Sequence, residues 1–170
     1  LIPMGCARLR ISAFPVIGEG PDTHAWPKLP ELENAVSASH CFEGDSVIAA
    51  VDGVEPRNSN DHSIPRMTWW PQRGSDEWLS LRFDEPRKLS QAEVYWFDDT
   101  GQGQCRVPAS WNLDYLDGHQ WRPVEAEGDF GVAPDKYNAV QFTPVETEAV
   151  RLRVTLQHEL SGGVLEWRVK

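Results

Sequence analysis

Apolar residues recur at every second position in several stretches of the chain. Leu79, Leu81 and Phe83 fall on one side of an extended segment, Val94 and Trp96 on one side of a second, and Trp111, Leu113 and Tyr115 on one side of a third. The longest run is Val150, Leu152, Val154 and Leu156, with Arg151, Arg153 and Thr155 between them. Successive side chains of an extended chain point to opposite faces, so each run predicts a strand with one buried and one wet side. No segment keeps a helical period for three turns. Short strands punctuated by turn residues predict an all-β fold, an antiparallel β-sandwich. There is no internal repeat and no low-complexity tract.

The organisation changes once along the chain. Near the start, Leu9, Ile11 and Ala13 alternate with Arg8, Arg10 and Ser12 until Pro15 stops the pattern. Gly18, Gly20, Pro21, Pro27 and Pro30 follow, a linker-like composition. The expected division is a terminal strand of a preceding domain over residues 1–16, a linker over 17–32, and one β-sandwich module over 33–170. Nothing near Leu1 looks like a signal peptide, which makes the chain read as an excised piece of something longer.

At 170 residues the chain is long enough for one substantial core. Its 16 basic and 26 acidic residues leave a formal charge of −10, which argues against nucleic acid, since phosphate binding needs a basic footprint. No apolar run approaches the roughly 20 residues that span a bilayer, so membrane insertion is not expected. Cys6, Cys41 and Cys105 lack zinc-site spacing. Cys41 and Cys105 could be bridged in an exported protein, although free, partly buried thiols are the simpler expectation.

The order of motifs narrows the fold. The Asp52-Gly53 turn leads to Trp69-Trp70, then to Asp76-Glu77-Trp78-Leu79-Ser80-Leu81-Arg82-Phe83. Next come Pro108 to Gly118 with Trp121, then the strand from Ala149 to Leu156, and finally Ser161 to Val169 around Glu166. From Asn34 to Lys170 this set resembles the discoidin-like domains of coagulation-factor C-terminal type, in particular the galactose-binding-like carbohydrate-binding modules of secreted glycosidases. The resemblance implies a discoidin-like jelly roll. Residues 1–15 also look like the last strand of the catalytic assembly in bacterial β-L-arabinofuranosidase-type glycosidases. That implies a parent enzyme with a catalytic domain upstream.

Calcium takes six to eight oxygen ligands, and a loop can supply most of them if a distant carboxylate closes the shell. Asp52 and Glu166 are the expected metal ligands, with Ser59 or Asn60 next and loop carbonyls from Ala49 to Arg57 completing the set. The resembling family places a second acidic residue directly after Asp-Gly, where this chain has Val54. The plainer reading is an ordinary Asp-Gly turn and a solvated glutamate.

Sugar recognition needs a flat apolar plate for the C–H face of the ring and planar groups for its hydroxyls. In the resembling modules these lie on loops at one end of the sandwich. Here the corresponding loops offer His62, Arg66, Trp69 and Trp70; Asp98, Asp99, Gln104 and Arg106; and His158. Adjacent tryptophans point opposite ways in an extended chain, so one of Trp69 and Trp70 is expected in the core and the other at the rim. Core packing is the expectation for Trp78, Trp96, Trp111 and Trp167. The stretch from Asp98 to Gln104 could equally be a plain hydrophilic turn.

No nucleophile elbow, Cys/His/Asn arrangement, His-Glu-x-x-His or phosphate loop occurs, so catalysis within the chain is not expected. The expected function is a calcium-stabilised, non-catalytic module that targets a secreted or periplasmic glycoside hydrolase to plant or algal polysaccharide. The main alternative is a structural sandwich packed on the parent's catalytic domain. A protein- or lipid-binding discoidin domain is a third.

Overall fold

The computed structural model describes residues 35–170, so the strand, linker and domain boundary expected before them lie outside the described residues. Seven strands follow in order: β1 (Val36–Ala38), β2 (Met67–Thr68), β3 (Asp76–Phe97), β4 (Ser110–Asp117), β5 (Gln120–Pro123), β6 (Tyr137–Thr155) and β7 (Gly163–Val169). One short 3-10 helix, Val47–Ala50, precedes β2. All strand pairings are antiparallel. The β-sandwich read from the alternation is the fold observed.

Hydrogen bonding runs through the whole set in the order β2-β7-β3-β6-β4-β5, with β1 also on β3. Two long strands make this continuous ladder a sandwich. β3 and β6 pair from Asp76↔Thr155 to Tyr95↔Tyr137, with register breaks between Arg82 and Arg87 and between Leu89 and Gln91. Pro86 and Pro144 sit in these irregular stretches, where proline, lacking an N–H, is tolerated. Before the breaks β3 bonds β1, and after them it bonds β7. Each long strand therefore serves both layers.

The core lies between the layers and includes the buried indoles of Trp69, Trp96, Trp111 and Trp167. Trp96 and Trp111 meet edge to face at 5.8 Å, and Trp111 donates its indole N–H to the Gly131 carbonyl at 2.7 Å. That bond removes the cost of burying the polar end of the ring. Trp78, expected in the core, is instead half-buried on the outer face of its sheet. It follows directly from the period of two, because its neighbour Leu79 points inward and is fully buried. There the Arg151 guanidinium packs 4.9 Å from the Trp78 ring and 4.0 Å from the Trp121 ring.

Cys41 and Cys105 are both free. Burial, and secondarily the charge of Asp99, push the Cys105 thiol up to about 12. Among the described residues no helix is long and apolar enough to cross a membrane.

Candidate functional site

At one end of the sandwich a cleft of about 370 Å³ opens between Phe42, Arg66, Trp70 and the loop after β3. Its floor starts with β2. Met67 pairs with Val164 and Thr68 with Gly163 of β7, and this approach requires glycine. A Cβ at Gly163 would lie 2.6 Å from the Met67 carbonyl oxygen and 2.8 Å from the Thr68 methyl. Alternation then turns Met67 and Trp69 into the core and leaves Arg66 and Trp70 on the cleft side. The segment before the 3-10 helix is pinned over β2 by two backbone bonds, Phe42 N–H to the Thr68 carbonyl at 2.9 Å and Ser46 N–H to the Arg66 carbonyl at 3.2 Å. Phe42 is thereby presented at the rim with 38% of its surface exposed.

Arg66 is held from three sides. Its Nε lies 3.5 Å from Asp45 Oδ1, its Nη1 donates to His62 Nδ1 at 3.3 Å, and its guanidinium packs 4.9 Å from the Phe97 ring centre. His62 donates its Nε2–H to Asn60 Oδ1 at 2.8 Å and sets its ring edge against Phe97 at 5.4 Å. The Thr68 hydroxyl donates to Asp45 Oδ2 at 2.5 Å. The result is a planar, fixed cation bordering the cleft, a group that suits paired oxygen acceptors.

The facing loop organises itself through its acids. Asp98 Oδ1 accepts the Thr100 N–H at 3.0 Å, and Asp98 Oδ2 accepts the Val107 N–H at 3.1 Å. Asp99 Oδ1 accepts the Cys105 N–H at 2.8 Å, and its carboxylate crosses directly above Gly103, where any Cβ would sit 2.1 Å from Oδ2. Asp99 Oδ2 receives no hydrogen bond from a described residue. Arg106 Nη1 is spent internally, donating to the carbonyls of Cys105 and Gly103 at 2.6 and 3.1 Å and to Asp99 at 3.3 Å.

The cleft thus brings together Trp70, Arg66, Asp99 and Gln104 of the residues singled out from the sequence. His62 stands behind Arg66. Asp98 and Arg106 shape the loop, and His158 lines a neighbouring basin with Arg73 and Gln104. Trp69 does not reach the cleft, being 0% exposed. Sequence reasoning missed Phe42, Asp45, Thr68 and Phe97. The first two lie in an irregular stretch with no period to read. Phe97 occupies the face of β3 opposite Val94 and Trp96, and alternation alone would have marked it as facing elsewhere.

A second cluster joins the loop after the 3-10 helix to the last strand. Glu166, 2% exposed, accepts the Gly53 N–H on Oε2 at 3.1 Å and Arg168 Nε on Oε1 at 3.3 Å. Desolvation, the largest influence, and the Asp52 charge push its carboxyl up to about 7. Asp52 is also raised, by burial, and uses Oδ1 to accept the Val54 N–H at 2.9 Å. Ser59 and Asn60 are bonded elsewhere. Ser59 exchanges two bonds with Asp135, its N–H donating to Oδ1 at 2.7 Å and its Oγ accepting the Asp135 N–H at 2.8 Å. Asn60 serves His62. Among the described residues no group of three or more His, Cys, Asp or Glu side chains converges as a metal site.

The sequence matches no family model. In three dimensions the chain is similar to a solved chain of the Streptococcus pneumoniae beta-galactosidase BgaA, with a TM-score of 0.64 at 17% identity over 79% of this chain and 90% of that one. It is similar to the family 32 carbohydrate-binding module of C. perfringens NanJ in complex with galactose, with a TM-score of 0.60 at 19% identity over 79% and 90%. A third is CpGH89CBM32-5 from Clostridium perfringens in complex with GalNAc-β-1,3-galactose, with a TM-score of 0.59 at 16% identity over 81% and 96%. Identities this low establish the shared β-sandwich fold.

Proposed function

We propose that this chain is a non-catalytic carbohydrate-binding module whose ligand lies in the cleft between Phe42, Trp70 and Arg66. One observation carries the reading: an aromatic rim and a fixed guanidinium face the same open space, beside acceptor and amide groups of Asp99 and Gln104. A sugar ring offers an apolar C–H face and a girdle of hydroxyls, and this arrangement meets both. The solved relatives in complex with galactose and with GalNAc-β-1,3-galactose support it. Weak capture of this kind acts by raising the local concentration of whatever is tethered to the module. Its setting is a secreted or periplasmic glycoside hydrolase acting on plant or algal polysaccharide. A glycan array followed by calorimetry on the best ligand tests the reading, and a protein that retains no glycan overturns it.

We further propose structural calcium at the second cluster. Two buried or half-buried carboxylates, Asp52 and Glu166, repel one another there, and among the described residues Arg168 is the cation paired with Glu166. Hard oxygen donors of this kind suit Ca²⁺, with backbone carbonyls of the 49–57 loop completing the shell. Ser59 and Asn60 would have to give up their present bonds to join it. Bound only by the folded state, calcium at ten times its Kd would add about 1.4 kcal/mol of stability. The expected result is a thermal midpoint several degrees lower in excess chelator, restored by added calcium. An unchanged midpoint together with no metal by elemental analysis excludes the ion.

A further inference from the structure

We propose that the cleft is the inner of two sugar subsites, and that the basin beside it, carrying Arg73 and His158, holds the next unit of an oligosaccharide. The proposal rests on reading the cleft as a carbohydrate site. The basin has a volume of about 640 Å³ and is lined by Arg73, Gln104, His158, Glu159 and Leu160. Two links make it continuous with the cleft. Gln104 borders both spaces, and the Arg73 guanidinium lies 4.6 Å from the centre of the Trp70 ring that borders the cleft.

The polar groups of this basin are unspent. Arg73, Gln104, His158 and Glu159 make no side-chain hydrogen bond or ion pair with any described residue. Elsewhere at the same end of the sandwich, such groups are consumed internally: Arg106 binds three oxygens, Asp98 caps its own turn, and Gln157 donates to the Val107 carbonyl at 2.8 Å. A guanidinium, an imidazole, an amide and a carboxylate around one hollow offer donors and acceptors together, the complement of a neutral sugar with several hydroxyls.

The basin's wall is also held in place. Gly74, at φ +60°, donates its N–H to the Leu160 carbonyl at 3.2 Å, and Leu160 donates to the Gln157 carbonyl at 3.0 Å. Glu159 takes a φ of 60°, the left-handed region that non-glycine residues rarely occupy. Such conformations persist where surrounding structure fixes them, and they gather at ligand-binding loops. A pre-formed wall spares a ligand the entropy of ordering it.

Calorimetry comparing galactose with GalNAc-β-1,3-galactose, and then a length series of whichever glycan an array selects, tests the idea. The longer ligand is expected to bind at least about tenfold more tightly than its single sugar. In the double variant Arg73→Ala/His158→Ala that ratio should fall to near one, with the thermal midpoint kept as evidence of folding. Equal affinity for one and several units, or a double variant that keeps the full advantage, overturns the second subsite while leaving the cleft intact. Binding of no glycan of any length overturns the carbohydrate reading and the subsite together.

Discussion

Trp69→Ala is expected to destabilise the fold by about 3–5 kcal/mol, the range for deleting a large buried aromatic ring. The ring is 0% exposed, and its backbone N–H donates to the Gly162 carbonyl at 3.0 Å. Space beside Gly162 is tight, since a Cβ there would meet the Leu156 side chain at 2.8 Å and the Arg106 carbonyl at 3.2 Å. The surroundings are therefore closely packed, and truncating the ring leaves a cavity among them. The next residue should behave in the opposite way. Trp70→Ala removes a half-buried ring at the rim, so it is expected to cost only about 1 kcal/mol in stability. Its glycan affinity should fall by about 1–3 kcal/mol, judged from aromatic stacking elsewhere. Urea unfolding with unchanged slope and titration of the best glycan measure the two quantities. Equal stability losses for the neighbouring variants would contradict this division of labour.

Arg66→Ala is expected to weaken glycan binding by about 1.5–3 kcal/mol, the value of hydrogen bonds to a charged group. Arg66→Lys should recover little, because an ammonium cannot reproduce a planar fork packed against Phe97. The alanine variant should also lose some stability, since Asp45, with only 5% of its side chain exposed, would keep its Thr68 bond but lose its cationic neighbour. Binding within twofold of the wild type in Arg66→Ala would remove this residue from the site.

The strands were legible because alternation is a direct print of burial on sequence. Leu79, Leu113, Leu152 and Val154 all point inward as their spacing requires. The same rule applied to Trp78 would have placed it outside, but hydrophobicity suggested the core, and Arg151 shows how a large indole can be half-covered on a wet face. The site was legible only in part. Trp70, Arg66, Asp99 and Gln104 lie in polar loops that a sequence can flag, whereas Phe42 and Asp45 enter through backbone bonds between residues 20 and 26 positions apart, which leave no local pattern. Arg106 and Asp98 had the right chemistry for a ligand, yet their groups are taken up by their own loop.

Because β3 and β6 each run through both layers, neither layer can peel away without breaking the ladder that holds the other. Unfolding should consequently be a single cooperative event. Amides in the paired halves on either side of the register breaks, Leu79–Leu81 and Ala92–Tyr95 of β3 and Asn138–Val140 and Val150–Val154 of β6, should exchange with solvent deuterium at one common free energy. The short strands β2 and β5 are held at sheet edges and can open below it. Arg66 and Trp70, which flank β2 and border the cleft, would then owe part of their rigidity to the ligand and not to the fold, so protection of the Met67 and Thr68 amides should rise when a glycan is bound.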